Sequence, residues 1–381
     1  RNCDWSSDVC SSDLFLALGR GAVGGGRLRS EAYDPQRLEQ QLADNAAECM
    51  SRLQCVQIDA QENVMRVSAI FSWRRNEFIE AYAEKAANAN LTALANVKPK
   101  KISRARPAGK RPEATAVLVC SDWHVEERVD PATNVPGNEY TIEIADRRIK
   151  QLVQKAAMLI EHEKALTGIR RIVVAALGDF ITGQIHDDLV EMTQLAPLAA
   201  TRWAGERLGG VIDAMAEIAP VLVTTSSGNH GRTTHKPRIA TENEHSFEQH
   251  LYLTMAAAEK RPNVEWQVGM GYLNIADLDG FLVRFHHGHA IRFGGGVGGL
   301  TIPANKAIAN WNISRRVQLD VFGHWHCFSW LPYRFVANGC LIGHNAFADR
   351  IKAEYQPPSQ SLIIIDHDHQ RVTKVLPIFV T

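Results

Sequence analysis

The chain has 381 residues, 45% of them apolar and 22% charged, ordinary values for a globular protein and enough for one large domain with an appendage or for two domains. Its 42 basic and 42 acidic side chains cancel, which excludes a global field drawing it to nucleic acid or membrane and confines any affinity for polyanions to a local patch. No apolar run approaches the length of a membrane span, and seven cysteines without a CxxC pair suit reduced thiols in a cytoplasm.

Taken in order, Asp4–Leu14 (DWSSDVCSSDL) reads as the translation of a common sequencing adapter, so residues 1–14 are set aside from fold reasoning, and Cys3 and Cys10 with them. Residues 15–97 are a small N-terminal segment of unknown function. In it Glu31–Leu53 reads as helix and Cys55–Trp73 as a hairpin: Val56, Ile58, Met65 and Val67 alternate around a turn at Gln61-Glu62-Asn63. This stretch faintly resembles the end of a bacterial domain family of no known function. A genuine small α+β domain and a segment joined on during assembly both remain open. Residues 98–112 carry seven Lys/Arg, three Pro and no acid, the composition of a solvated linker, with a basic tail for nucleic acid as the sharper alternative.

From Thr115 strands alternate with helices, the pattern of an α/β sheet, over a domain of residues 113–381. Strand 115–120 ends at Ser121-Asp122-Trp123-His124. A helix spans about 141–164, with Ile149, Leu152, Val153, Ala156 and Ile160 on one face. The buried strand Ile172–Leu177 ends at Gly178-Asp179. A helix of about 197–218 follows, and strand 221–227 runs into Gly228-Asn229-His230. A third helix (about 244–259) precedes strand 281–286, which ends at His287-Gly288-His289. Strand 318–322 delivers Gly323-His324-Trp325-His326, and strands 362–366 and 372–380 close the domain.

Ligand-type side chains just beyond the carboxyl ends of buried strands sit where open α/β sheets bind ligands. A lone HGH or DxH is more often a capped turn or a satisfied histidine. Five such sites on successive strand ends are hard to produce by chance. Imidazole with carboxylate suits divalent Mn, Fe or Zn, and a carboxamide oxygen favours the harder end of that range. Seven ligand side chains exceed one tetrahedral ion and fit two ions that share a carboxylate. His286 precedes a ligand on its strand and should point away; His289, His186 and His235 stay undecided.

In this order D-x-H, G-D, G-N-H, H-G-H and G-H-x-H resemble the calcineurin-like metallophosphoesterase superfamily over about residues 115–350. The resemblance implies a four-layer α/β/β/α sandwich. It implies one divalent ion on Asp122, His124, Asp179 and His326, and a second on Asp179, Asn229, His287 and His324, with Asp179 bridging. Mn²⁺ is the expected metal, with Fe, Zn or Ni as substitutes. It further implies attack on phosphorus by a metal-activated hydroxide, with catalytic His230 stabilising or protonating the leaving oxygen. Asn338-Gly339-Cys340 stands where the family often has an N-G-S turn.

The match has departures. The protein phosphatases of the superfamily read G-D-x-x-D-R-G, whereas Thr182 stands here in place of the second Asp and no Arg follows. A phosphoprotein phosphatase is therefore not expected, and the group that orients His230 is open, with His186 and Asp187 as candidates. Gly231 stands where an acid often follows G-N-H, and Gly231–Arg238 brings Arg232, Lys236 and Arg238 to the site as expected substrate-binding residues. A solvated loop is the plain reading; contact with a substrate of more than one phosphate is the sharper one. Arg292 and the glycine run 294–299 are candidates for another wall of the cleft. The segments PLAATRWAGE and GNHGRTTHKPR look most like phage- or prophage-encoded members. The expectation is a cytoplasmic, metal-dependent phosphodiesterase, a nuclease acting on DNA or RNA, with no membrane partner and no protein partner indicated. The alternatives are a small-molecule phosphodiesterase or phosphomonoesterase, and an inactive scaffold that the intact ligand blocks argue against.

Overall fold

The computed structural model describes residues 112–292 and 299–381 continuously, and before them only residues 34–38, 40–41, 44, 56–59 and 64–67. The chain divides into two compact units, Arg1–Pro107 and Ala108–Thr381. In the first, β1 (Val56–Asp59) and β2 (Val64–Val67) pair antiparallel with Val56 opposite Val67, the hairpin read from the alternation. The adapter-like residues 1–14, most of the expected helix 31–53 and the basic stretch 98–111 lie outside the described residues, as do 294–298 of the glycine run.

The second unit is a four-layer α/β/β/α sandwich. Its strands are β3 (Glu113–Cys120), β4 (Gly168–Ala176), β5 (Val221–Thr225), β6 (Val264–Gln267), β7 (Asn274–Leu278), β8 (Phe281–His286), β9 (Leu319–Phe322), β10 (Ser329–Leu331), β11 (Phe335–Ala337), β12 (Ser359–Asp366) and β13 (Arg371–Phe379). Its α-helices are α1 (Ile142–Leu166), α2 (Asp187–Met192), α3 (Pro197–Ala216), α4 (Phe247–Ala258), α5 (Thr301–Ser314) and α6 (Ala346–Ile351). One sheet has the order β13-β12-β3-β4-β5-β6, parallel from β3 to β6, and the other the order β10-β11-β9-β8-β7, parallel across β11, β9 and β8.

Side-chain alternation builds the layers. On β3 and β4, Ala116, Leu118, Ile172 and Val174 face α1 and α3, where Leu152, Ala156, Leu208 and Val211 cover them. Their sequence neighbours Val117, Val119, Val173 and Ala175 face the second sheet and meet Ala276, Val283, Phe285 and Val321. On that sheet's far side Phe322, Phe335 and Ala337 pack on Ala304 and Ile308 of α5. Strands buried on both faces explain the unbroken apolar runs. Parallel neighbours end at the same level, so β3, β4 and β5 in one sheet and β8 and β9 in the other all open at one rim of the sandwich.

The sequence did not reveal β6, β7, β10, β11 or the helices α2, α5 and α6. Only Ala304 and Ile308 of α5 are buried, too few to print a helical stripe, and β10 and β11 have three residues each.

Candidate metal centre

The rim brings six of the seven expected ligand side chains together in two groups. Among the described residues, two groups of side chains place their ligand atoms within 4.8 Å of one another: Asp122, His124 and His326, and Asp179, His287 and His324. The backbone delivers them at a cost. Asp122, His124, Asp179, His324 and His326 all sit at positive φ, between 46° and 69°, a region that non-glycine residues visit rarely and that clusters at functional sites. Glycines clear the space: a Cβ on Gly228 would lie 2.1 Å from Asp179 Oδ1, and one on Gly323 2.2 Å from Asp122 Oδ2.

The first group is oriented by side chains. His124 Nδ1 lies 3.0 Å from Thr182 Oγ1, which in turn donates to Glu127 Oε2 at 3.1 Å. Those partners fix the tautomer with the proton on Nδ1 and leave Nε2 as a ligand. That Nε2 is 3.2 Å from Nε2 of His326, itself 3.4 Å from Asp122 Oδ1. Asp122 accepts from Ser121 Oγ, which is held by Asn338 Nδ2 at 2.9 Å, and from the His324 amide. Asn338 therefore joins the site through Ser121.

The second group is oriented largely by backbone. His287 Nδ1 donates to Leu177 O at 2.7 Å, and its Nε2 faces Asp179 Oδ2 at 2.9 Å. With the proton on Nδ1 these are two acceptors, an approach that only a cation or a second proton between them makes favourable. Burial pulls the His287 pKa down, but the adjacent Asp179 carboxylate wins and raises it to about 9. Burial would push Asp179 up, and the imidazoles of His287, His230 and His124 hold it well below the usual carboxylate range. Asn229 Oδ1 is buried without a hydrogen-bond partner, the state of a ligand atom lacking its ion. The donor set, the two facing nitrogens and this orphaned oxygen fit divalent cations.

His230 donates its amide to Asp179 Oδ1 at 2.8 Å, and its Nδ1 lies 2.8 Å from the Thr182 carbonyl. The orienting group is thus a backbone carbonyl. His186 and Asp187 are exposed at the start of α2 and do not serve. Thr182 aims two histidines, one through its hydroxyl and one through its carbonyl. Buried Glu126 grips the Thr182 and Gly183 amides at 2.8–3.0 Å, and burial raises its carboxyl to about 7.

Glu248 of α4 was not singled out by sequence reasoning. It is fully buried and accepts from the Phe180 amide at 2.7 Å and the Gly228 amide at 2.8 Å, tying together the loops that carry Asp179 and Asn229. Burial, with help from Asp179, raises its carboxyl to about 7. Its partners are backbone amides, which no residue pattern encodes.

The remaining candidates separate clearly. His286 is buried away from the rim, stacked on Phe322 with centroids 5.0 Å apart. His289 pairs with Glu242 at 2.8 Å and lies against Tyr272 beside the second group, whereas His235 is exposed. Arg232 spends its guanidinium on the carbonyls of Asn229, Thr234 and His235 (2.7, 3.0 and 3.2 Å), so it braces its own loop. Lys236, Arg238 and Arg292 are exposed.

No family model matches the chain, and no curated protein sequence matches it. Solved structures do. A conserved protein of Streptococcus pneumoniae described as a predicted phosphoesterase shares 10% identity, over 71% of this chain and 99% of that one, with a TM-score of 0.28. Vps29 of Chaetomium thermophilum shares 12% over 70% of this chain and all (100%) of that one, with a TM-score of 0.30. A hypothetical protein of Pyrococcus horikoshii shares 11% over 70% and 89%, with a TM-score of 0.34. At such scores the functional reading rests on the rim's own geometry.

Proposed function

We propose that this chain is a dinuclear-metal phosphoesterase of the calcineurin-like superfamily, that its substrate is a phosphodiester, and that this diester is DNA or RNA. The observation that carries the reading is the pair of largely buried His/Asp groups at one rim, accompanied by the unpartnered Asn229 Oδ1. Asp122, His124, Asp179 and His326 would hold one ion, and Asp179, Asn229, His287 and His324 the other. When bound, two divalent cations supply Lewis acidity toward a phosphoryl oxygen and acidify a water.

The protein's own part is positional and protonic. Thr182 O fixes the His230 proton on Nδ1 and turns Nε2 outward, where a protonated Nε2 can donate to the leaving oxygen. Asp179 Oδ1 holds the His230 amide, so a carboxylate of the second group also sets the acid's position. Lys236 and Arg238 supply positive charge for flanking phosphates. Arg232 favours the second reading, a small-molecule ester, because its guanidinium is already engaged by the carbonyls of its own loop.

Among the described residues no helix is long and apolar enough to cross a membrane, and Cys120, Cys327 and Cys340 are free thiols. We assign the chain to the cytoplasm of a phage-infected or prophage-carrying bacterium on the resemblance of its motifs alone. We also propose that residues 1–111 are dispensable for the chemistry, and a 112–381 protein with full metal content and no activity would overturn that.

The test offers the full-length protein with Mn²⁺ a phosphodiester chromogen, a phosphomonoester chromogen, and single- and double-stranded DNA and RNA, each with a chelator control. Chelator-sensitive cleavage of the diester and of a nucleic acid is expected. Cleavage of the monoester alone would overturn the nuclease reading, and cleavage of nothing would overturn the enzyme.

A further inference from the structure

The opposite rim, at the amino ends of β8 and β9, holds a cavity of about 550 Å³ bounded by the carboxyl end of α5, the β10–β11 turn and the start of β13. That volume lies in the range of small-molecule sites. The length of β9, roughly 10 Å, separates it from the metal rim.

Three arginines from three different elements line it, Arg316, Arg334 and Arg371. Each is exposed, and among the described residues none has a carboxylate at ion-pair distance. The cavity's one acid, Asp320, is buried and already neutralised by Arg284, at 2.7 and 3.2 Å. Three guanidiniums thus line one concave surface whose single carboxylate is already engaged by Arg284, which leaves their positive charge available to an anion. Arginine is also the cation whose planar donors match phosphate in a bidentate way.

The same cavity presents flat rings. Trp330 is 39% exposed and Tyr333 78% exposed, both at its edge. Tyr333 is there under strain. The Arg334 amide closes the turn on Leu331 O at 3.1 Å, with Pro332 and Tyr333 as its central residues, and Tyr333 has φ 61°. Glycine or asparagine normally fills that position, and a bulky residue is an outlier there. Folding alone gains nothing from an exposed ring at a strained turn, whereas a ligand that stacks on it does.

We propose that this cavity is a second ligand site, separate from the metal centre, for a nucleoside monophosphate: the base stacks on Trp330 or Tyr333, and the phosphate is held by Arg316, Arg334 and Arg371. A concave site of this size matches a single nucleotide better than a chain of them. The proposal stands apart from the reaction assigned to the metal rim, and its test is run without metal.

The full-length protein in chelator is titrated with adenosine 5′-monophosphate, and in parallel with inorganic phosphate and a single-stranded DNA 12-mer, by isothermal calorimetry. The monophosphate should bind tighter than inorganic phosphate because the rings contribute. Arg334→Ala and Arg371→Ala should each weaken it about tenfold or more. Tyr333→Gly should weaken binding while raising the melting temperature, since it removes the ring and relieves the turn together; a folding defect cannot imitate that pair of changes. Asp179→Asn should bind as the wild type does. Monophosphate binding that is absent, or abolished by Asp179→Asn and untouched by the arginine variants, would overturn the proposal. Binding of the 12-mer alone through the same arginines would also overturn it, in favour of a nucleic-acid track.

Discussion

The two halves of the metal rim are built differently. Around Asp122, His124 and His326 the supports are mostly side chains: Thr182 and Glu127 behind His124, and Ser121 and Asn338, with the His324 amide, behind Asp122. Around Asp179 and His287 they are mostly backbone: Leu177 O behind His287, the His230 amide on Asp179, and Glu248 clamping the amides of Phe180 and Gly228. The difference teaches where each half is vulnerable. Side-chain supports can be cut one at a time with the ligands left in place. Backbone supports yield only to changes in the ligands, the glycines or the clamp.

The largest effect should come from Asp179, the carboxylate that the two proposed ions would share. Asp179→Asn should abolish turnover and weaken both ions, and activity at the wild-type level would sink the whole assignment. His230→Ala should keep metal content and lower kcat by about a hundredfold or more, since it removes an acid and no ligand. Loss of metal in that variant would make His230 a ligand instead.

Thr182→Val should separate the halves. It deletes the hydroxyl behind His124 and keeps the carbonyl behind His230, so one ion should bind 10- to 100-fold more weakly, by the usual cost of such supports, while the other holds. Equal weakening of both ions, read by titration, would erase the contrast. A smaller effect belongs to the clamp. Glu248→Gln replaces an acceptor of two backbone N–H groups by an amide with one oxygen, so one N–H loses its partner, at a cost of about 1–3 kcal/mol in denaturant unfolding. A variant as stable as the wild type would show that the clamp contributes little.

Protons test the contrast too. Glu126 and Glu248 have folded pKa values of about 7, above an ordinary 4.5. Below pH 4.5 both are protonated folded or unfolded, and the folded form binds the extra protons between about 4.5 and 7. Their contribution to stability is therefore full at low pH and is lost as pH rises through 7. The chelated protein should take up protons on folding in that window, and Glu126→Gln should reduce the uptake. For His287 the competition is with metal: its proton, with a pKa of about 9, must leave when a cation binds, so affinity in the second half should climb with pH toward 9.

The chemistry of the site was legible and its scaffolding was not. Carboxylates and imidazoles at strand ends can be read because residue type is ligand type, and parallel strands bring their ends to one rim. Thr182 was visible only as a departure from a pattern, because its work on His230 is done by a carbonyl that every residue possesses. Glu248 lies 68 residues from the Phe180 amide it clamps, a spacing fixed by the crossover through α3 and β5 and not by any local pattern. Arg232 was legible as a cation and not as a brace of its own loop, because sequence shows the charge and not the three carbonyls its guanidinium meets. The strands β10 and β11 were too short to alternate, and the strained Tyr333 between them has no signature but its φ.

The central claim is two ions per chain with Asp179 between them. Mn²⁺ titrated calorimetrically into chelator-stripped, full-length wild-type and Asp179→Asn proteins tests it most directly. The account requires two equivalents in the wild type, with both sites weakened in the variant. A single equivalent, or two that survive in Asp179→Asn, would contradict it.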